Sequence, residues 1–457
     1  MHVVVVVPGI MGTELLLHEE GGGAERVWPP TAAETQFGYR RRDKLASPKA
    51  RPGNIILNVL CFDFYAPLLD CVRDLGFTPD GADQRVIAFP YDWRRDLFDT
   101  AAALADALDG AHAAGASQIS LVAHSMGGLV CRLLLEADTW RGRPWFASVM
   151  QLIAISTPHL GAPLALGRIL GVDAALGISG KDFAWLANNE AFPSAYQLLP
   201  PPGEATCWNQ ADPGLASLDI YDPDVADALG LNLTLLGRAR ALHDVLGGGN
   251  APAAVRYFFF AATGHRTPTR VNVFRAENGV FLADQTVLTR TIDAGDGTVP
   301  MFSALPRAGQ RHIAVNEHAS AFKGEAFRRV FVRLLGGDEG AALEDMTLKF
   351  ALSIEAPIVT SGQSIEVLLY TEAGVEDSQG AFGTISGQLV LRKIGDSTAG
   401  EEVRRMPLEY SGPQISRLRF YLAPLSVPAY YQLTFESPQG NAGPEAFGVC
   451  TELPNAQ

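Results

Sequence analysis

The sequence has few cysteines, a shortage of positive charge and no long apolar run. Its five cysteines are scattered and show no CxxC or other metal-ligand spacing, so we expect free thiols and no metal site. Lys and Arg total 36 against 50 Asp and Glu. The resulting net charge of −14 argues against nucleic acid as a partner, because phosphate binding needs clustered cations. No stretch approaches the roughly 20 apolar residues that a membrane-spanning helix needs.

The first residues also lack the features of a secretory signal. Met1-His2 leads directly into the apolar run Val3 to Val7 and then Pro8-Gly9, without a positively charged start or a cleavage site. We therefore expect this run to be a buried strand. We also expect the protein to be cytoplasmic, and at most peripheral at membranes.

Strand-like and helix-like segments alternate up to about residue 335, which is typical of a mostly parallel sheet flanked by helices. The predicted central strands are Val3–Val7, Gln84–Phe89, Gln118–Ala123, Val149–Ser156, Arg256–Ala262 and Arg311–Val315. The predicted helices are Thr100–Ala114, Gly127–Ala137 and a closing helix at Ala319–Leu335. Because 457 residues exceed one ordinary domain, we predict an α/β domain over residues 1–337 and a second domain after it.

Two segments interrupt this alternation and read as insertions. Residues 28–53 are rich in Pro, Gly and Arg, and residues 160–250 hold helical pieces among many Gly, Pro and Asn. Insertions of this length are usually functional covers or mobile loops.

The composition changes after residue 337, and residues 343–457 read as short strands between Gly, Ser and Pro turns. The predicted strands are Thr347–Ser353, Ser364–Tyr370, Gly387–Lys393, Arg404–Tyr410, Ser416–Leu422 and Tyr430–Glu436. This pattern predicts an antiparallel, Ig-like β-sandwich. It carries no cluster of chemically active residues, so we expect a docking or regulatory domain. A protein is one candidate partner, and sugar and lipid stay open because sandwiches of this kind bind all three.

Ser125 is the strongest candidate for a catalytic residue. The segment Ile119 to Gly128 runs from an apolar strand through a tight turn into a helix, with Ala123 two residues before the serine and Gly127 two residues after it. Small residues are needed there because the strained turn of a nucleophile elbow brings neighbouring backbone close to the serine. This context predicts an α/β-hydrolase fold with Ser125 as its nucleophile.

A serine nucleophile needs a base and an acid, which follow in the order Asp or Glu, then His, in this fold. Asp296, in a turn after the fifth predicted strand, is the candidate acid, with Asp293 as the alternative. Of the two histidines after Asp296, His312 lies within a predicted strand, whereas His318 lies in the loop before the closing helix and is the candidate base.

The oxyanion hole needs two backbone N–H groups, one from the residue after the nucleophile and one from a loop near an early strand. Met126 supplies the first by position. Met11, in the glycine-containing turn after the first strand, is the candidate for the second, with Ile10 as the alternative.

Four further residues are candidates for substrate contact. They are Ile10, Trp93, His124 and His159. Since adjacent residues at a tight turn point apart, we expect His124 to pack beside Ser125 rather than to act as the base. His265 is a weaker candidate for the pocket wall.

Seven blocks, in this order, resemble the lecithin:cholesterol acyltransferase-like family, which includes lysosomal phospholipase A2 and phospholipid:diacylglycerol acyltransferases. The blocks are Val7-Pro8-Gly9-Ile10-Met11-Gly12-Thr13, Pro90-Tyr91-Asp92-Trp93-Arg94, Ala123-His124-Ser125-Met126-Gly127-Gly128, Ser156-Thr157-Pro158-His159-Leu160-Gly161, Ser194-Ala195-Tyr196-Gln197-Leu198-Leu199-Pro200, Gly295-Asp296-Gly297-Thr298-Val299-Pro300 and the loop at His318. The resemblance covers most of residues 3–335 and leaves the C-terminal domain outside.

The resemblance implies specific roles. Ser125, Asp296 and His318 match the family's triad, and Met11 and Met126 match its oxyanion donors. Residues 28–53 match its lid and residues 160–250 its cap. Family members cleave acyl chains from phospholipids or neutral lipids and pass them to water or an alcohol. Unlike secreted members, this chain lacks a signal peptide and the paired cysteines that pin their lid, so secretion is not expected.

The segment 28–53 is a basic island in an acidic protein. Tyr39-Arg40-Arg41-Arg42-Asp43-Lys44, with Lys49 and Arg51, carries the charge, and Trp28 and Phe37 flank it. Such a lid would favour anionic headgroups, with the two aromatic rings dipping into a lipid surface. The alternative is a solvated loop with no partner.

The residues together predict a serine esterase of the phospholipase A type that acts on lipid acyl esters without a cofactor. Three alternatives stay open: acyl transfer to an alcohol, hydrolysis of small soluble esters, and a non-enzymatic scaffold for the β domain.

Overall fold

The structure is a computed structural model of the whole chain. It describes residues 1–18, 23–59, 62–214, 216–275, 281–306, 309–315, 318–322, 325–337, 349–354, 358–372, 384–394, 401–412, 415, 417–438 and 440–451. These residues form two compact units. The first comprises Met1–Val59 and Asp63–Gly337, and the second comprises the described residues from 349 onward.

Up to residue 337 the strands are β1 (His2–Val7), β2 (Thr13–His18), β3 (Ala24–Trp28), β4 (Arg51–Ile55), β5 (Asn58–Val59), β6 (Phe62–Asp63), β7 (Gln84–Ala88), β8 (Gln118–His124), β9 (Val149–Ile155), β10 (Cys207–Asn209), β11 (Ser217–Leu218), β12 (Arg256–Thr263), β13 (His265–Arg275), β14 (Phe281–Gly295) and β15 (Gln310–Val315). The helices are α1 (Ala32–Phe37), α2 (Arg42–Leu45), α3 (Ala66–Asp74), α4 (Leu97–Ala113), α5 (Met126–Glu136), α6 (Pro163–Ile169), α7 (Gly180–Ala187), α8 (Ser194–Gln197), α9 (Pro223–Ala228), α10 (Leu233–Leu246), α11 (Met301–Ala304) and α12 (Glu325–Leu334).

A six-stranded sheet with the order β15-β12-β9-β8-β1-β7 forms the centre of the first unit. Every adjacent pair in this sheet is parallel. Its members are the six strands that the sequence predicts, and the α/β-hydrolase fold is confirmed. The sheet places the carboxyl ends of all six strands at one edge, where loops can carry a site.

Side chains alternate between the two faces of the sheet along each strand, so both faces of these strands are apolar. Helices cover both faces. In β1, Val3, Val5 and Val7 pack into a core with the apolar residues of α4 and α5. Val4 and Val6 face the opposite core, which α3 and α12 close. A strand buried on both faces reads as an uninterrupted apolar run, and Val3 to Val7 is such a run.

The closing helix begins later than the sequence predicts. His318–Ser320 forms a short 3₁₀ turn, and α12 itself starts at Glu325. The prediction of a helix from Ala319 onward was wrong at its first turn. His318 is the first residue of this 3₁₀ turn.

The predicted lid, residues 28–53, belongs to a larger element. Strands β3, β2 and β4 form an antiparallel sheet, so the described residues between Thr13 and Ile55 form one element that carries α1 and α2. Trp28 is buried, and its indole N–H donates to the Met11 carbonyl over 2.8 Å. The prediction that Trp28 dips into a lipid surface was therefore wrong, whereas Phe37 is exposed.

Several lid cations are paired with carboxylates. Arg41 pairs with Glu34, Arg42 with Asp182 and Lys44 with Glu25, at N···O distances of 2.5, 2.6 and 2.5 Å. The Arg42 pair ties the lid to α7 of the cap. Arg40 and Lys49 are exposed. The exposed, unpaired positive charge of residues 28–53 is therefore smaller than the sequence suggests. Membrane contact through this segment stays a prediction.

The cap combines helices α6 to α10 with a four-stranded sheet of order β11-β10-β13-β14. Strands β13 and β14 form a long antiparallel hairpin that the sequence analysis did not predict. This hairpin lies outside the predicted insertion 160–250, between the fifth central strand and Asp296. Asp296 directly follows strand β14 of this sheet.

The second unit contains β16 (Lys349–Ile354), β17 (Ile358–Thr360), β18 (Ile365–Glu372), β19 (Thr384–Ile394), β20 (Glu401–Ser411), β21 (Arg417–Leu422), β22 (Ala429–Glu436) and β23 (Ala442–Cys450). Sheets β16-β18-β21 and β17-β23-β22-β19-β20 enclose one apolar core. This is the predicted sandwich with two strands added, β17 and β23. The added pair is parallel, whereas the other pairings are antiparallel.

Within the described ranges, the helices are too short or too polar to cross a bilayer. Cys131, Cys207 and Cys450 are buried free thiols. Cys61 lies outside the described residues.

Candidate active site

Ser125 occupies a strained turn between β8 and α5. Its φ of 53° and ψ of −127° put a non-glycine residue in a region that side chains rarely adopt. Its N–H donates to the Ile155 carbonyl over 2.8 Å, which fixes the turn to the end of β9. The serine thus stands at the carboxyl edge of the central sheet.

Two glycines allow the close approach that this turn requires. A Cβ atom at Gly9 would lie 2.7 Å from the Ser125 Cβ, and one at Gly127 would lie 2.5 Å from the carbonyl oxygens of Val7 and Pro8. Ala123, two residues before the serine, is completely buried. The pattern of small residues seen in the sequence therefore has a direct steric cause.

Asp296, His318 and Ser125 form one hydrogen-bonded line. His318 Nε2 lies 2.9 Å from Ser125 Oγ, and His318 Nδ1 lies 2.8 Å from Asp296 Oδ2. The His318 N–H also donates to the Asp296 carbonyl over 2.9 Å, so backbone and side chain fix the same orientation. These are the distances that a nucleophile, base and orienting acid need.

Asp296 stays ionised although it is fully buried. Burial by itself raises the pKa of a carboxyl group, but the attraction and hydrogen bond of His318 lower it, as do the N–H groups of Val299 and Thr298. These two N–H groups lie 2.7 and 3.0 Å from Asp296 Oδ1. The net effect is an Asp296 pKa below its ordinary value.

The alternatives considered for the acid and the base lie elsewhere. Asp293 is exposed at a positive φ of 57°, and its carbonyl accepts a hydrogen bond from the Thr263 hydroxyl. His312 lies within β15 with its ring 5.2 Å from that of Phe260. The structure brings neither into the line of Ser125 and His318.

Two backbone N–H groups are available for an oxyanion. Met126 is the first residue of α5, where an N–H has no partner within the helix and the helix dipole favours negative charge. Met11 has a positive φ of 64°, and its carbonyl is held by Trp28. Among the described residues, no acceptor pairs with either N–H group. The alternative donor, Ile10, is half-buried in the same turn.

The other candidates for substrate contact have structural partners. The Trp93 indole donates to the Thr13 carbonyl over 3.1 Å and packs against Trp28. His159 is buried against Phe259, and burial beside Arg132 lowers its pKa well below the ordinary value. Burial also lowers the pKa of His265, to about 4. Trp93 and His159 therefore contact other residues of the protein, and His265 is buried.

His124 is buried with both ring nitrogens in hydrogen bonds. Its Nδ1 lies 2.8 Å from the Tyr65 hydroxyl, and its Nε2 lies 3.0 Å from the His318 carbonyl. The expectation that it packs beside the serine agrees with this position, whereas contact with substrate would require an exposed ring. Tyr65 was missed because a lone tyrosine carries no sequence signal of its neighbours.

No group of three or more His, Cys, Asp or Glu in the described part of the chain is arranged to hold a metal ion.

Comparisons with known proteins agree on one family. A family model described as lecithin:cholesterol acyltransferase matches residues 61–226. The chain is also 25% identical to lecithin-cholesterol acyltransferase-like 4 of Arabidopsis thaliana over an alignment of 379 residues, and the match covers 66% of this chain and 69% of that protein. The chain is therefore similar to the lecithin:cholesterol acyltransferase family over part of its length. The matched range contains the Ser125 turn, and Asp296 and His318 come after it.

Solved structures with a similar fold include a lipase, BlEst2 of Bacillus licheniformis. It is 14% identical with a TM-score of 0.36, over 73% of this chain and 91% of that one. A chain of the Tle4-Tli4 complex is 13% identical with a TM-score of 0.49, over 72% and 96%. Phospholipase PlaB of Legionella pneumophila is 12% identical with a TM-score of 0.31, over 67% and 45%. The strand order of the central sheet remains the basis for assigning the fold of this chain.

One of the seven blocks that resemble the family, Pro90 to Arg94, is bonded to the predicted lid. The buried Arg94 guanidinium forms a bidentate pair with Asp92, at 2.8 and 2.7 Å. It also donates to backbone carbonyls of the lid. The acceptors are Leu45, Ser47 and Ala50. The Tyr91 hydroxyl donates to the Pro8 carbonyl over 2.8 Å, so the same block also holds the oxyanion turn.

Replacing Arg94 by methionine is expected to destabilise the first unit by about 3–5 kcal/mol, because the change breaks the bidentate pair with Asp92 and removes the hydrogen bonds of a buried guanidinium to three lid carbonyls. Urea denaturation followed by tryptophan fluorescence measures this, since all six tryptophans precede residue 337. Arg95→Met is the matched control: Arg95 also pairs with Asp92, but its side chain is 36% exposed. A loss of at most about 1 kcal/mol is expected there. Equal losses in the two variants would contradict the anchoring role.

Proposed function

We propose that the chain is a serine esterase that hydrolyses acyl esters of lipids in the manner of a phospholipase A, through an acyl-enzyme on Ser125. The observation that carries the proposal is the line of hydrogen bonds from Asp296 through His318 to the strained Ser125. The similarity to the lecithin:cholesterol acyltransferase family supports an enzyme that acts on lipid acyl esters.

In the first step, His318 Nε2 accepts the proton of Ser125 Oγ as the oxygen attacks the ester carbonyl carbon. The carbonyl oxygen becomes an oxyanion, which the N–H groups of Met126 and Met11 would stabilise. Asp296 stabilises the imidazolium that forms on His318. His318 then gives the proton to the leaving alcohol as its bond to the acyl carbon breaks.

In the second step, an acceptor enters and His318 takes its proton as the acceptor attacks the acyl-enzyme. The bond from Ser125 Oγ to the acyl carbon breaks, and the serine recovers its proton from His318. Water gives a free fatty acid, and an alcohol gives a new ester. Acyl transfer is therefore the second candidate, supported by the name of the matching family.

The lid and cap support a substrate with a long acyl chain. Both elements are ordered parts of the first unit: the lid contributes its own sheet, and the cap contributes five helices and a sheet within the described residues. Their contact through Arg42 and Asp182 makes a cover larger than a small ester requires. The complete hydrogen-bonded line argues against a non-enzymatic scaffold.

A fluorophosphonate probe tests the serine chemistry directly, because it phosphonylates a serine only where a base activates the hydroxyl. We expect covalent labelling of the purified full-length protein on the peptide that contains Ser125, and loss of labelling after heat denaturation. Labelling at another serine, or none in a protein that retains its native fluorescence spectrum, would remove the proposed mechanism.

Product analysis tests the substrate and the acceptor. The protein is incubated with mixed phosphatidylcholine and phosphatidylglycerol vesicles, with and without a long-chain alcohol, and the lipids are identified by mass spectrometry. Free fatty acid with lysophospholipid is expected from hydrolysis. A new alcohol ester instead of fatty acid would assign the chain to acyl transfer, and turnover of p-nitrophenyl butyrate alone would assign it to small esters.

A further inference from the structure

An unbroken line of hydrogen bonds runs behind the triad and is separate from it. The Gly9 N–H donates to the Tyr65 hydroxyl oxygen over 2.7 Å, and that oxygen lies 2.8 Å from His124 Nδ1. His124 Nε2 lies 3.0 Å from the His318 carbonyl. The line therefore joins the turn that carries the oxyanion donor to the loop that carries the base, through the residue next to the nucleophile.

The direction of each hydrogen bond follows from the groups present. A backbone N–H can only donate and a carbonyl can only accept, so Tyr65 accepts from Gly9 and His124 donates to His318 from Nε2. His124 Nδ1 then carries a lone pair and accepts the Tyr65 proton. Every polar atom in the line has at least one partner, and only one tautomer of His124 satisfies all of them.

The surroundings keep this arrangement neutral and rigid. Tyr65 and His124 are both buried, and burial raises the pKa of the tyrosine hydroxyl. Burial, reinforced by the charge of His318, lowers the pKa of His124 to about 3. Phe322 stacks on the Tyr65 ring at 5.7 Å and meets the His124 ring edge-on at 5.4 Å.

We propose that Tyr65 and His124 are positioning residues that set the oxyanion turn and the catalytic base in register with each other. This inference rests on the proposed function. Gly9 lies against Ser125 and two residues before Met11, so the Tyr65 hydroxyl fixes the turn on one side of the reacting carbon. His124 fixes the His318 backbone on the other side. Neither side chain touches the substrate.

This role affects the rate rather than substrate binding. Oxyanion donors and base act on the transition state, and displacing such groups by about 1 Å can lower the rate about 100-fold. Tyr65→Phe removes one oxygen and keeps the ring stacking. With p-nitrophenyl butyrate we expect kcat to fall about 10- to 100-fold and KM to stay within about twofold.

Two substitutions at His124 separate hydrogen bonding from packing. Gln at this position has an amide oxygen to accept from Tyr65 and an NH₂ group to donate to the His318 carbonyl, whereas Phe keeps an aromatic ring and loses both bonds. We expect His124→Phe to lose as much kcat as Tyr65→Phe, and His124→Gln to recover at least part of the loss. Equal activity of the Gln and Phe variants would overturn the proposal.

The double variant Tyr65→Phe with His124→Phe tests whether the two residues act as one unit. Groups in one hydrogen-bonded line couple, so the double variant is expected to lose no more kcat than the worse single variant. Fully multiplicative losses would overturn the proposal. Tyr221→Phe is the matched control, because its buried hydroxyl donates to the Pro200 carbonyl in the cap over 2.8 Å. Its kcat is expected to match wild type.

Nitrogen-15 spectra of the histidine rings give a readout that stability alone would not change. The signals of His124 are assigned as those missing from the spectrum of His124→Gln. They are expected to show the Nε2–H tautomer and no titration between pH 5 and 9. A titrating ring or the other tautomer would overturn the proposal.

If wild type is inactive and unlabelled by fluorophosphonate, the proposed function fails. If wild type is active and Tyr65→Phe matches it, only the positioning role fails.

Discussion

Replacing Ser125 by alanine is expected to lower kcat for ester hydrolysis by about 10⁶-fold, because the change removes the atom that forms the acyl-enzyme. The base and the oxyanion donors stay in place. The residual rate should remain about 10³- to 10⁴-fold above the reaction in water, through binding and oxyanion stabilisation alone. Substrate affinity should change little, since the serine hydroxyl is small and is already bonded to His318.

Initial rates with p-nitrophenyl butyrate and with phosphatidylglycerol vesicles measure this loss. Ser120→Ala is a matched control on the same strand, because its hydroxyl is buried and lies 3.0 Å from the Gln151 amide. We expect that control to keep kcat and to lose some stability. A Ser125→Ala protein with a tenth of the wild-type rate would mean that another nucleophile carries the reaction.

The central sheet was predictable because parallel strands buried on both faces leave continuous apolar runs. Val3 to Val7 and the run before Ser125 are such runs, and each ends at a glycine or small residue that the structure places beside the nucleophile. Sequence reasoning works well there, since burial and tight turns restrict the allowed residues locally.

The hairpin β13–β14 was missed although its sequence holds a usable signal. Val271 and Val273 alternate with polar residues, and Asn278-Gly279 follows before the next apolar run, a pairing typical of hairpin turns. The strand β23 was missed for a different reason. It contains Gly443 and Pro444, which are rare inside strands, so tertiary pairing outweighs local propensity there.

In the candidate site, too, some residues could be predicted from the sequence and others could not. Ser125, Asp296 and His318 follow an order that the fold imposes, so their association could be inferred from the sequence. The contacts of Tyr65 and Trp28 depend on which backbone atoms lie beside them after folding, and no local pattern records this. Trp28 was wrongly predicted to lie at a lipid surface for that reason. The sequence does not distinguish a buried aromatic residue beside a basic segment from an exposed one.

Replacing Asp296 by asparagine is expected to lower kcat about 10⁴-fold with little change in fold. The carboxylate accepts a hydrogen bond from the Nδ1–H of His318, which leaves the Nε2 lone pair free to take the proton of Ser125. The Val299 and Thr298 N–H groups occupy Oδ1, so an amide here keeps its oxygen on that side and presents NH₂ to His318. Nδ1 must then accept, the ring proton moves to Nε2, and the base is blocked.

Asp293→Asn is the matched control, because it removes a neighbouring carboxylate that is exposed and outside the hydrogen-bonded line. We expect its kcat to stay within about twofold of wild type, since an exposed charge at that position is screened by solvent. Full pH–rate profiles of both variants with p-nitrophenyl butyrate decide the assignment. A large loss in Asp293→Asn together with an active Asp296→Asn would exchange the roles of the two carboxylates. Comparable moderate losses would mean that neither one alone orients His318.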